Sequence, residues 1–160
     1  MNNRDVLPIY ILLIIIAHGI YLLKQSYSIG ISSTPSLPYN IFFINKNKKE
    51  FNKNDLIVFR YPGENIYNFI KNEEFVKIAT CFPKDFLFVN EKFEYFCNGK
   101  QVGKALLKDS ESKELIPFVF NGIIPPNKYF VTGIHIKSWD SKYWGFVDKE
   151  RIVATAKGLF

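Results

Sequence analysis

Residues 6–23 read Val-Leu-Pro-Ile-Tyr-Ile-Leu-Leu-Ile-Ile-Ile-Ala-His-Gly-Ile-Tyr-Leu-Leu, eighteen positions without a formal charge when His18 is neutral. No soluble domain easily hides such a run. As a helix it reaches roughly 27 Å, close to the ~30 Å hydrocarbon core of a bilayer. A cleaved secretory signal would need a basic start, a shorter apolar stretch and small residues at the cut; Arg4 and Ser26-Tyr27-Ser28 meet these needs poorly, so the length favours an uncleaved anchor. Arg4 before the run and Lys24 after it leave the orientation undecided. His18 is given no role. The 160 residues therefore divide into a tail over 1–5, a transmembrane anchor over 6–23, and one domain over 24–160.

Within that domain, Phe and Tyr recur beside Val and Ile in short runs separated by polar turns, a pattern of half-buried strands. Strands are predicted near residues 41–44, 56–61, 75–82, 86–90, 93–96, 118–120, 128–133, 144–147 and 152–155. Asn98-Gly99 predicts a tight turn, since both residues tolerate positive φ. Residues 64–72 form a short helix or a loop, and residues 108–114 a charged loop. The fold expected is mainly β, an antiparallel domain behind one N-terminal helix.

The formal charge of +6 is concentrated partly in Asn45-Lys46-Asn47-Lys48-Lys49-Glu50 and on to Lys53. Aromatic residues able to stack on bases are not interleaved there, so nucleic acid is not the expected partner. A solvated loop accounts for it, with weak attraction to anionic lipid as an intermediate reading. Cys81 and Cys97 are too few and too far apart for zinc, and no metal or cofactor is expected. They are either a disulfide or two core thiols.

Four blocks carry chemistry. In Thr34-Pro35-Ser36-Leu37-Pro38 a serine stands between prolines that restrict the local backbone, although such stretches after a membrane span are more often linkers. Asn54-Asp55-Leu56-Ile57-Val58-Phe59 is a polar turn entering a strand. In Phe75-Val76-Lys77-Ile78-Ala79 one lysine sits in an apolar strand. Burial would lower its pKa and make it a base; a solvent-facing edge lysine is the plain alternative. The last block runs from Ile124-Pro125-Pro126-Asn127-Lys128-Tyr129-Phe130-Val131-Thr132-Gly133 to Ser138-Trp139-Asp140-Ser141-Lys142.

In this order the blocks resemble the successive boxes of bacterial type I signal peptidases, over nearly the whole chain. The Thr-Pro-Ser-Leu-Pro form and the short length resemble the TraF-like branch of conjugative transfer. The resemblance implies that Ser36 is the nucleophile and Lys77 its general base. It implies that Ser138 orients the lysine, that Thr34 helps hold the oxyanion, and that Asp140 and Lys142 are a supporting acid–base pair. Ile41, Phe42 and Phe43 are expected to bind extended substrate. Lys84 and Asn127 stand where the pattern has glycine, and the turn at Lys84 is expected to differ in type. His135 and Asp140 also raise a Ser-His-Asp triad, but no G-x-S-x-G elbow accompanies them and His135 is read as a surface or turn residue.

The implied activity is endopeptidase cleavage of signal or leader peptides from membrane-associated precursor proteins, pilin or type IV secretion subunits before general secretory ones. The implied location is the bacterial inner membrane, with the catalytic domain on its outer side. A housekeeping signal peptidase and a non-catalytic membrane-tethered β module are the alternatives.

Overall fold

The computed structural model describes residues 3–32, 34–64 and 70–160. The helix or loop expected over 64–72 falls largely on residues 65–69, outside the described ones. Helix α1, Asn3–Ser26, extends the apolar run by three residues at each end. Its large apolar side chains from Leu7 to Leu23 stand 48% to 68% exposed, so the domain offers them no packing face. Leu7–Ser26 is long and apolar enough to cross a membrane.

Strand β1, Tyr27–Ile31, begins on the residue after the helix ends. Ten more strands follow: β2 Ile41–Asn45, β3 Leu56–Arg60, β4 Glu74–Cys81, β5 Phe86–Val89, β6 Glu94–Cys97, β7 Lys100–Lys104, β8 Gly122–Ile123, β9 Lys128–Thr132, β10 Val147–Asp148 and β11 Ile152–Gly158. They form two antiparallel sheets, one ordered β1-β2-β11-β3-β4-β9-β10 and the other β7-β6-β5-β8. The mainly β, antiparallel expectation describes the molecule.

The centre of the larger sheet is covered on both faces, which is why β3 reads as a continuous apolar run. Its Ile57 and Phe59 pack with Ala79, Val131 and Val147, while Val58 on the opposite face packs with Leu37, Phe42 and Ile44. A third cluster of Leu87, Val89, Tyr95 and Phe130 fills the space beneath the smaller sheet. There Cys81 of β4 and Cys97 of β6 form a disulfide with their Cα atoms 6.0 Å apart, which ties the two sheets together. Asn98 and Gly99 turn β6 into β7 with φ of 47° and 80°.

Two predicted strands are replaced. Residues 118–120 have no strand; Phe118 is instead held by its N–H donating to the Lys142 carbonyl, and its ring packs with Phe120 and Phe146. The stretch predicted over 144–147 opens as the end of a short helix α2, Ser141–Trp144. The Asp140 carboxylate caps that helix by accepting from Lys142 N–H, and Gly145 at φ 85° ends it. Lys84, at φ 74°, keeps the left-handed conformation that a glycine would favour, as does Asn127 at φ 63°.

Candidate active site

The serine block leaves β1 and turns back toward β2. Leu37 is buried among Phe42, Ile44 and Val58, which pins the turn from below. Its backbone is held from the other side: the Ser36 carbonyl accepts from Ile134 N–H at 2.8 Å and from His135 N–H at 3.3 Å. The approach depends on Gly133. A Cβ there would stand 2.6 Å from the Ser36 carbonyl oxygen and 2.2 Å from Ser138 Oγ, closer than real contacts allow. The Ser36 hydroxyl lies 3.2 Å from Thr34 Oγ1.

Lys77 enters from the middle of β4, where it pairs with Ile57. Only 4% of it is exposed, so the solvent-facing alternative does not hold. Its Nζ donates to Ser138 Oγ at 3.0 Å. Burial pushes its pKa down from 10.5 to about 8; nearby Asp140 pulls it back up, and Lys142 presses it further down. Ser138 is itself buried and fixed by its N–H donating to the His135 carbonyl. Among the described residues Ser36 is bonded to Thr34 and Lys77 to Ser138; no direct Ser36–Lys77 bond joins them.

Beneath this group, the Asp140 carboxylate accepts from Gly133 N–H at 2.9 Å and from both approaches of Lys142 Nζ, at 2.6 and 2.8 Å. Both side chains are almost wholly buried, and their pairing compensates their desolvation. With its carboxylate so engaged, Asp140 is not oriented toward His135, whose ring accepts from Lys137 N–H on the exposed surface. No Ser-His-Asp triad forms.

Thr34, Ser36, Lys77 and Ser138 line one cavity of about 610 Å³. Its apolar wall includes Phe42, Ile44, Val58 and Val76. The substrate role expected of Ile41, Phe42 and Phe43 needs correction: β2 is hydrogen-bonded to β1 on one side and β11 on the other, so its backbone has no free edge. Phe42 contributes only its side chain, while Phe43 faces outward. The edge lining the cavity belongs to β1, a strand the sequence reading missed because five residues following an apolar helix read as linker. Missed as well was Trp139, which lines the cavity, donates to Tyr61 Oη at 3.0 Å and stacks on Tyr143.

Among the described residues, the one group able to hold a metal is Cys81, Asp85 and Cys97. The two sulfurs are joined in the disulfide, and the Asp85 oxygens are occupied by Lys53, Phe82 N–H and Asn98. The group is structural.

Residues 4–160 match the family described as signal peptidase, peptidase S26, and the chain belongs to that family. Its activity is that of a serine protease removing signal peptides from precursor proteins at a membrane. Among solved structures, a signal peptidase I from Enterococcus faecalis V583 aligns at 19% identity and TM-score 0.44, covering 66% of this chain and 96% of that one. No curated protein matches the chain.

Proposed function

We propose that Ser36 is the nucleophile and Lys77 the general base of this signal peptidase, and that α1 is retained as its membrane anchor. The observation that carries the assignment is a nearly buried lysine, lowered to about 8, in the same cavity as a backbone-clamped serine. Neutral Lys77 Nζ takes the Ser36 Oγ proton as Oγ attacks the scissile carbonyl. The ammonium then returns that proton to the leaving amine, and water releases the acyl-enzyme. Thr34 Oγ1 and the Ser36 N–H are the proposed oxyanion donors, a contribution of ~3 kcal/mol per donor.

Substrate is proposed to add as an extended strand to the free edge of β1, with small side chains directed at the cavity. The substrates are precursors of pilin or type IV secretion subunits, a preference supported by the form of the serine block. The domain is placed on the outer side of the bacterial inner membrane; a disulfide between Cys81 and Cys97 suits that oxidising compartment. Ser36→Ala and Lys77→Ala should each leave a precursor uncleaved while the far-ultraviolet circular dichroism is kept. Normal processing by either variant would overturn the assignment, and faster cleavage of a bulk secretory precursor than of a pilin precursor would overturn the substrate preference.

A further inference from the structure

The segment from Gly133 to Ser138 joins the serine side of the cavity to the lysine side, and His135 is bonded to both. Its N–H, with that of Ile134, donates to the Ser36 carbonyl, and its own carbonyl accepts from Ser138 N–H at 2.9 Å. The backbone of His135 is thus fixed, while the residue stays exposed and lines the cavity of Ser36 and Lys77. Its ring makes one bond among the described residues, Nδ1 accepting from Lys137 N–H at 3.2 Å. A ring nitrogen that accepts carries no proton, so the neutral imidazole has its N–H on Nε2. The Lys137 bond therefore fixes both the tautomer and the way the ring is turned. Among the described residues lining the cavity, Trp139 and His135 are the ones with a neutral side-chain N–H. Trp139 has a single such donor and gives it to Tyr61 Oη at 3.0 Å. The N–H of His135 is not used inside the protein.

We propose that His135 is a substrate-binding residue, its Nε2–H donating to a main-chain carbonyl of the precursor close to the scissile bond. The inference rests on Ser36 and Lys77 being the reacting pair, as read above. Every residue of an extended peptide carries a carbonyl that needs a donor, whatever its side chain. The contact therefore adds to the binding of the whole class of precursors and does not restrict their sequence. Because the same residue clamps the Ser36 carbonyl, the donor and the nucleophile keep a fixed relation, and a precursor held by one is presented to the other.

The test separates the two ring nitrogens. Glutamine can carry an amide N–H to the place of Nε2, whereas asparagine, one carbon shorter, reaches only the place of Nδ1, where its oxygen can accept from Lys137 N–H. The assay uses the full chain in detergent micelles and an internally quenched peptide with small residues around the cut. His135→Asn should raise KM by ~3- to 10-fold with kcat held within ~2-fold, the effect of losing one hydrogen bond to substrate. His135→Gln should keep KM within ~2-fold of the parent. Binding of the same peptide to the Ser36→Ala chain, read by fluorescence anisotropy, should weaken by the same factor when His135→Asn is added. A parental KM in His135→Asn, a larger fall in its kcat, or a His135→Gln chain that binds as weakly as His135→Asn would each overturn the proposal. Cleavage of the peptide by Ser36→Ala would sink the reading of the reacting pair and this inference with it. An inactive Ser36→Ala beside a fully parental His135→Asn would sink the inference alone.

Discussion

If Lys77 is the base, the rate must follow its deprotonation. A lysine at its ordinary pKa of 10.5 is neutral in roughly one molecule in three thousand at pH 7, whereas one at about 8 is neutral in roughly one in ten. Burial thus raises the population of competent enzyme by ~300-fold at neutral pH. The profile of kcat/KM for a precursor peptide in detergent micelles should climb nearly tenfold per pH unit from pH 6 and level off above about 8. The same shift has a stability consequence of known sign. Between pH 8 and 10.5 the unfolded chain holds a proton at this position that the folded chain has lost, so folding becomes more favourable as pH rises through that window. Below it the full penalty is present, about 3 kcal/mol. Lys77→Met should therefore abolish cleavage and yet raise Tm at pH 7. A rate that keeps climbing through pH 10, or one flat from pH 6 to 9, refutes the reasoning. So does a Lys77→Met variant less stable than the parent.

Two further outcomes are expected. Gly133→Ala would force a methyl group against Ser138 Oγ and the Ser36 carbonyl oxygen, and a displacement of ~1 Å should lower kcat/KM by about 100-fold with KM little changed; single-turnover kinetics read this, and near-parental rates would show that the clamp on Ser36 is dispensable. Lys84→Gly should stabilise the domain by ~1 kcal/mol, because Lys84 holds φ 74° between β4 and β5 where glycine carries no steric penalty; a lower midpoint in urea would mean that the lysine side chain contributes more than its backbone strain removes.

The parts of this molecule legible from sequence were those whose signal is local. The apolar helix, the uninterrupted β3 run and the Asn98-Gly99 turn each follow from a few neighbouring residues and appear where expected. Strand β7, Lys-Gln-Val-Gly-Lys, has almost no apolar alternation and is a strand because β6 supplies its backbone partners. Helix α2 depends on a side chain, Asp140, whose capping is visible only when its remaining oxygen is seen bound to Gly133. The site shows the same division. Ser36, Lys77, Ser138 and Thr34 could be picked out by resemblance, but Gly133 carries no chemical group, and its importance is a distance between two other residues. The expectation that Ile41, Phe42 and Phe43 pair with substrate failed for a similar reason: whether a strand has a free edge is a property of the sheet order, not of the strand.

The short segment from Ser138 to Lys142 sets the charge environment of Lys77, the proposed base, beside a buried carboxylate. Asp140 alone favours the ammonium form of Lys77 and raises its pKa, against the lowering by burial. Desolvation is the largest influence on Lys77, and Lys142, bonded to both Asp140 oxygens, adds a smaller lowering that opposes the pull of the carboxylate. The packing permits this because Gly103 of β7 leaves room for the Lys142 stem; a Cβ there would already lie 3.2 Å from its Cδ. The same five residues also fasten the neighbouring strand, Ser141 Oγ accepting from Val131 N–H and Asp140 from Gly133 N–H. The charge environment of Lys77 and the placement of the serine clamp thus both depend on one carboxylate. Removing Asp140 would disturb both at once, whereas Ser138 touches Lys77 without setting its charge environment.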